Sequence, residues 1–497
     1  MVRSALTLSV PLPLLLLAAC SAGPDYRPRS PAELGVPSAW SVPADQRARE
    51  DLTRWWNRFD DPTLGSLVER AQAANLDLAQ AVVRLRQARE SLVQQRANLF
   101  PSVSTSGGIS RSEPLRGGST TVTLPDGSVT SFSQGGSTSF SLGADASYQV
   151  DLFGGVRRGV EAARADYEAT GFDYATVLLS VEAETARNYV LARAAQAQLT
   201  NARESLAIQD DNLQIAQWRV QAGLVSSIDA EQARASRAQT AASIPSLEAN
   251  YNGFVSRLGV LTGQAPGALK AELAATKPIP HGPASVATGV PAETLRQRPD
   301  IRAAERNLAA ATARIGVATA QLYPSLGIGG SIDVGASALD ALFDTITGRL
   351  FANIAQTIFD GGRTRSQIRS AQAAADGAFL GYKQTVLAAL EDIENAVVAL
   401  NAAHQREAQF RIAYEAANNQ AILARMQYRS GLTDFLSLNQ AESALLSARN
   451  GIVQAQSDKA TALIALYAAL GGGWDSSSIP QAPNPAPTPA GSTADGN

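Results

Sequence analysis

Few of the 497 residues could do covalent or metal chemistry. The chain has two histidines, His281 and His404, and one cysteine, Cys20. A nucleophilic triad, a zinc site or a haem pocket each needs more donors than these. Glu391, Asp392 and Glu394 could share a cation or a proton, but they fall within a proline-free run from Gly362 to Ser430. On a long helix such carboxylates read as a solvated face. Gly154-Gly155 and Gly361-Gly362 lack the Lys-Ser/Thr of a phosphate loop and read as hinges between a strand and a helix. No catalytic residue, metal ligand or bound cofactor is therefore expected, and the chain does not read as an enzyme. Lys plus Arg (42) nearly balances Asp plus Glu (45), so nucleic acid is not an expected partner.

The thiol of Cys20 remains. Arg3 is a short positive region, and Ala5 to Ala19 is an apolar stretch too short for a bilayer span of ~20 residues. Leu17-Ala18-Ala19 places small residues before Cys20. This pattern resembles a bacterial lipobox. It implies that residues 1–19 are an export signal cut before Cys20, whose sulfur then carries a diacylglycerol and whose new amino group a third acyl chain. The next residue is Ser21 rather than Asp, which for such lipoproteins favours the outer membrane. At ~0.8 kcal/mol per buried CH2, several acyl chains anchor a protein lastingly.

The elements behind this anchor come in two copies. Asp77-Leu78 and the run from Ala97 to Ser102 recur 223 positions later as Asp300-Ile301 and the run from Ala320 to Ser325. Phe153-Gly154-Gly155 returns after 207 positions as Asp360-Gly361-Gly362, and Gly223-Leu224 after 208 as Gly431-Leu432. The first copy thus carries about 16 extra residues between its strands, and length variation confined to one loop places that loop on an open surface. Residues 20–61 read as an extended segment docked through Trp40, Trp55, Trp56 and Phe59, and 62–263 as the first repeat. Residues 264–290 are a Pro- and Ala-rich linker, 291–471 the second repeat, and 472–497 a disordered tail.

Each repeat reads as helix, β-hairpin, long helix, turn and return helix. From 62 to 99, Leu64, Leu67, Val68, Ala71, Leu78, Val82, Leu85, Ala88 and Leu92 form one apolar stripe. The hairpins cover about 101–151 and 324–360, with 112–137 as a Gly/Ser/Thr-rich outer loop. Phe140, Leu142, Ala144, Ala146, Tyr148 and Val150 alternate with polar residues, and the pattern matches a membrane strand of about 9–11 residues. Leu326, Ile328, Ile332 and Val334 repeat it, whereas a fourth strand at about 349–359 alternates poorly. The long helices reverse at Gly223-Leu224 and Gly431-Leu432, and in the first Leu199, Leu206, Leu213 and Val220 form a seam. Pro245 bends the first return helix without ending it. The fold class expected is mainly α with a membrane β part: four long helical elements and four strands per chain. Four strands cannot close a membrane barrel, which needs about eight or more. Chains must share one; three copies supply twelve strands, and two or four copies are also compatible.

Several motifs, in order along nearly the whole mature chain, carry a resemblance: Gly23-Pro24-Asp25-Tyr26, Trp55-Trp56 with Phe59 and Asp61-Pro62, Asn75-Leu76-Asp77, Arg298-Pro299-Asp300-Ile301 with Glu305, Gly316-Val317-Ala318 before Tyr323-Pro324, Phe359-Asp360-Gly361-Gly362 and Tyr428-Arg429-Ser430-Gly431-Leu432. They resemble the TolC-like outer-membrane factors, in their NodT-like lipoprotein branch. The resemblance implies a homotrimer whose twelve-stranded barrel in the outer membrane continues as a periplasmic α-helical barrel. It implies the exit duct of a tripartite efflux system for drugs or other small molecules, docked on a periplasmic membrane-fusion adaptor and an inner-membrane pump. Residues 21–61 and 264–290 would form its equatorial belt. Gly223, Leu224, Gly431 and Leu432 match the tips that dock the adaptor, and Asp229 and Tyr428 match a hydrogen-bonded link that holds the inner hairpin shut. The two carboxylates that ring the entrance in the family's best-known members are replaced by Ser437 and Gln440; Asp434 lies one turn earlier. Other readings are a duct for type I protein secretion and a coiled-coil lipoprotein without a pore, though the latter leaves the strands in both copies unexplained.

Overall fold

A computed structural model describes residues 21–43, 51–116, 119–133, 135–283 and 285–480. The expected export signal, Cys20 and the last 17 residues lie outside the described residues. Two compact units emerge, one from residues 21–27, 89–166 and 307–378, the other from 28–88, 167–306 and 379–480.

The second of these units is helical. Helix α1 (Pro62–Ala74) starts where the Asp61 carboxylate accepts from Thr63 N (2.8 Å) and Leu64 N (3.2 Å), with Pro62 at the first position. The expected single helix over 62–99 is two. Asn75 turns extended and its side-chain oxygen accepts from Asp77 N and Leu78 N, opening α2 (Leu76–Ala97). The apolar stripe crosses this break because both helices bury one continuous face, Leu64, Leu67, Val68 and Ala71 and then Leu78, Leu85 and Leu92. The helix expected over 291–321 is likewise divided, a short α6 (Pro291–Leu295) preceding α7 (Pro299–Ala320), with α5 (Lys270–Leu273) in the linker before it.

Long helices α3 (Gly155–Gln221) and α8 (Arg363–Arg429) have 67 residues each, ~100 Å at 1.5 Å per residue. They return as α4 (Ser227–Leu261) and α9 (Phe435–Ala469), of 35 residues each, and Pro245 sits inside α4 without breaking it. The return helices meet the short ones end to end, and the two copies solve that junction alike. Asn75 Nδ2 donates to Leu261 O (3.0 Å), and Arg298, at the equivalent position, donates through Nη1 to Ala469 O (2.9 Å). In both cases a side chain from the start of one helix satisfies a terminal carbonyl of another. Gly263 and Gly471 both have φ +69°; a Cβ on Gly263 would collide with Ala74 O, and one on Gly471 would sit tightly against Arg298.

The extended segment docks as its aromatics suggest. Trp40 Nε1 donates to Gly289 O (2.8 Å), while Trp55, Trp56 and Phe59 are buried and Trp55 stacks on Tyr467 with centroids 5.4 Å apart. Trp474 is also buried, in a cluster with Phe172 and Ile479. Residues 472–480 of the tail expected to be disordered are thus placed, with Trp474 as their anchor, and the rest of that tail lies outside the described residues.

The first unit is built on a four-stranded antiparallel sheet in the order β1 (Ser102–Ser112), β4 (Ser137–Val150), β5 (Ser325–Ala336), β6 (Ile346–Ala355). The loop expected over 112–137 contains a hairpin of its own, β2 (Ser119–Thr123) and β3 (Val129–Ser133), closed by a turn at Pro125-Asp126-Gly127 where Gly127 has φ +83°. The fourth strand starts earlier than expected and does alternate: pairing to β5 puts Ile346, Leu350 and Ile354 opposite Val334, Gly330 and Leu326.

A bare sheet face and two helix tips

Register places Val103, Ile109, Leu142, Tyr148, Ile328, Ile332, Leu350 and Ile354 on one face of the sheet. Leu350 is 89% exposed and Ile354 75%; although Val334 at one end is buried, no layer of the described residues covers most of this face. The other face carries Ser104, Ser106, Asp145, Gln149, Ser331, Asp333 and Arg349. Gly327 and Gly329 on that face leave room for Asn353 and Phe351 opposite them, where a Cβ would collide. The outer edges of β1 and β6 pair with no strand among the described residues. An uncovered apolar face backed by a polar one, with two unpaired edges, suits a segment of a membrane barrel and is a liability in water.

Beside this sheet the chain's first described residues are stitched down. Ala22 N donates to Phe153 O (2.9 Å), Ser21 lies against Gly154, and Gly23 against Gly316. The Arg158 guanidinium, itself buried, pairs with Asp25 and with Glu161 and donates to Ala22 O.

In the helical unit, α3 and α8 end in the same motif. Gly223 and Gly431 have φ +72° and +74°. Leu224 N reaches back to Arg219 O (2.8 Å) and Leu432 N to Gln427 O (2.9 Å), the six-to-one closure that a left-handed glycine permits. Ser226 and Asp434 then cap α4 and α9. The tips leave Leu224 70% and Leu432 78% exposed. Asp434 is spent as that cap: the Ser437 hydroxyl and backbone N–H hold its carboxyl below the usual range. Nothing acidic takes the places of Ser437 and Gln440.

Behind the tips, Ala216, Ala233, Ala421, Ala424, Tyr428, Phe435, Leu438, Ala441 and Leu445 form a core shared by four helix ends. Arg425 and the buried Glu442 make a two-pronged ion pair there, with Nη2 to Oε2 at 2.7 Å. The link expected between Asp229 and Tyr428 is not formed as a hydrogen bond. The Tyr428 hydroxyl is buried beside the Arg219 guanidinium rather than bonded to Asp229. Burial pushes its pKa up, against the nearby Arg219 guanidinium and with a smaller push from Asp229. The ring is instead covered by Arg219, whose guanidinium carbon lies 4.8 Å from the ring centroid, and met edge-on by Phe435 at 6.0 Å. Arg219 was not legible as a site, although one signal existed: an offset of 208 pairs it with Gln427 and pairs Val220 with Tyr428, so the copies differ there.

Glu391, Asp392 and Glu394 do not converge on a cation. Glu394 accepts from Ser41 N and Oγ (2.8 and 2.6 Å), and Asp392 from Arg298 (3.1 Å). No cluster of three metal-ligating side chains occurs among the described residues.

A lipid-facing sheet joined to very long paired helices defines an outer-membrane channel fold. The chain belongs to the outer membrane efflux protein family, whose sequence model matches residues 67–264 and 290–472. It is 30% identical to nodulation protein T of Rhizobium leguminosarum bv. trifolii over 93% of this chain and 96% of that protein. It is 32% identical to the pyoverdine export outer membrane protein OpmQ of Pseudomonas putida, covering 94% and 97%. Among solved structures, the outer-membrane channel OprN superposes with a TM-score of 0.80 at 34% identity, covering 92% of this chain and all of that one. The chain is an outer-membrane efflux channel protein of a Gram-negative type.

Proposed function

We propose that three copies close a twelve-stranded barrel in the outer membrane and together form the exit duct of a tripartite pump. The observation that carries this reading is the sheet with a bare apolar face and two unpaired edges. A ring of copies pairs each β6 with the next β1 and removes every edge. Cys20 carries the lipid; the stitching of Ser21, Ala22 and Gly23 to Gly154, Phe153 and Gly316 supports a fixed anchor point beside the foot of the strands. The exposed Leu224 and Leu432 dock a periplasmic adaptor, which connects the duct to an inner-membrane pump. The cargo is small molecules, as the name of the pyoverdine-exporting relative suggests, and the energy comes from the pump.

Native mass spectrometry of the detergent-extracted mature protein tests the core of this reading. Three chains, each with added acyl mass, are expected. A lipidated monomer that persists across detergents would rule out the shared barrel.

A further inference from the structure

We propose that a cavity between the extended segment and helices α3, α6, α7 and α8 binds a small organic anion, one carboxylate on an apolar body, with Arg296, Arg302 and Tyr382 holding the carboxylate. The site lies within the helical unit of one chain and does not depend on the channel reading.

The cavity has a volume of about 490 Å³, inside the range of ~300–1,000 Å³ usual for small-molecule sites. Pro28 and Pro31 of the extended segment form one wall, stiffened by their fixed backbone angles. Its floor is apolar: Leu34, Leu295, Ile301 and Val386 line it and are each at most 5% exposed. Such a floor takes an apolar body, and the polar groups around it decide which head group comes with that body.

The acidic side chains on the wall are already engaged. Arg306 pairs with Glu168 (3.5 Å) and with Glu305 (3.0 Å). Arg296 and Arg302 line the same cavity and have no carboxylate partner among the described residues. Arg302 donates through Nε to Arg296 O (2.9 Å) and lies over the rings of Phe172 and Trp474, 5.6 and 5.5 Å from their centroids. Those contacts fix the guanidinium and leave its terminal nitrogens without an acceptor among the described residues.

Tyr382 adds a third donor. It is only 7% exposed and lines the cavity, yet its hydroxyl makes no hydrogen bond among the described residues. Burial, joined by Glu305, pushes its pKa up against Arg296 and Arg306, so at neutral pH the hydroxyl keeps its proton. A nearly buried donor without an acceptor is a cost to the fold, and a bound carboxylate removes it. Charge-assisted bonds from two guanidiniums favour the anion, whereas a cation would meet like charge.

The experiment is isothermal titration calorimetry of the full-length protein in lipid nanodiscs, with empty nanodiscs as the blank. The probes are 2-naphthoate and, as a cation of matched shape, 2-naphthylmethylammonium; thermal unfolding checks the fold of each variant. The parent should bind the naphthoate saturably and at least about tenfold more tightly than the ammonium. Ala292→Trp, whose indole fills the cavity from α6, should abolish binding. Arg296→Gln, at an exposed side chain, and Tyr382→Phe, which keeps the ring, should each weaken it about tenfold. No saturable binding by the parent, equal affinity for the two probes, or a naphthoate affinity unchanged in Ala292→Trp or in either polar variant would overturn the proposal.

Discussion

Glu182 sits in an environment far from what its charge prefers. It is fully buried on α3; Oε1 accepts from Gln72 Nε2 (2.7 Å), and Oε2 presses on Gly473, where the Trp55 indole N–H also points. Burial pushes its pKa up to about 8, from a starting value of 4.5, against the pull of Gln72 and Trp55. At neutral pH the folded protein therefore holds a proton here that the unfolded chain has released. The folded state binds more protons, so stability falls as pH rises from 4.5 to about 8 and changes no further from this group above it. Glu182→Gln keeps the neutral shape at every pH. Thermal unfolding of that variant should lose part of the downward trend of Tm between those limits; an unchanged trend would mean that Glu182 is charged in the fold. No sequence pattern marks this residue, because Glu182 lies on a helix whose other carboxylates, such as Glu184 paired to Arg257, reach solvent at least in part. Burial depends on Trp55 and Gly473, which arrive from distant parts of the chain. The aromatics of the extended segment were legible for the opposite reason: several large apolar side chains in a Pro- and Arg-rich stretch have nowhere to go but onto a neighbour.

Single elements were easiest to read where backbone chemistry dictates a stop. The glycines at 223 and 431 end two helices of equal length, and both adopt the left-handed conformation that the reversal needs. At Gly223 nothing lies within 4 Å of a would-be Cβ, so Gly223→Ala tests backbone strain alone. The variant should be destabilised by about 1–2 kcal/mol, measured as a lower unfolding midpoint, with no new clash in the way. Leu224→Ser and Leu432→Ser touch only exposed side chains. Combined, they should leave the assembly intact in native mass spectrometry and abolish efflux-dependent resistance in cells; full resistance would remove the tips from the docking surface. Periodicity failed where a polar cap interrupts a helix without moving its buried face. Asn75 is invisible in the stripe because α1 and α2 bury the same side before and after it. The hairpin β2–β3 was hidden in a Ser/Thr/Gly-rich stretch that lacks an apolar period, yet its Pro-Asp-Gly turn was there to be read.

For the molecule as a whole, the decisive quantity is the free energy of placing the bare sheet face in lipid. That face and the polar one alternate residue by residue, so two adjacent positions on one strand offer an internal comparison. Ile332 is 60% exposed on the apolar face near the middle of β5; Ser331, its neighbour, faces the other way and bonds to Asp333 (2.7 Å). A lysine at the bilayer midplane of a barrel costs about 2–4 kcal/mol, and a trimer bears it three times. Ile332→Lys should therefore deplete assembled protein from the outer-membrane fraction. Ser331→Lys places its charge on the polar face, within reach of Asp333, and should insert normally. Fractionation followed by native mass spectrometry distinguishes the two. Equal tolerance of both would mean that the apolar face does not meet lipid, and equal loss would mean that strand pairing rather than the membrane is sensitive to lysine. Only the predicted asymmetry ties the alternation of residues in β5 to a closed, lipid-facing barrel.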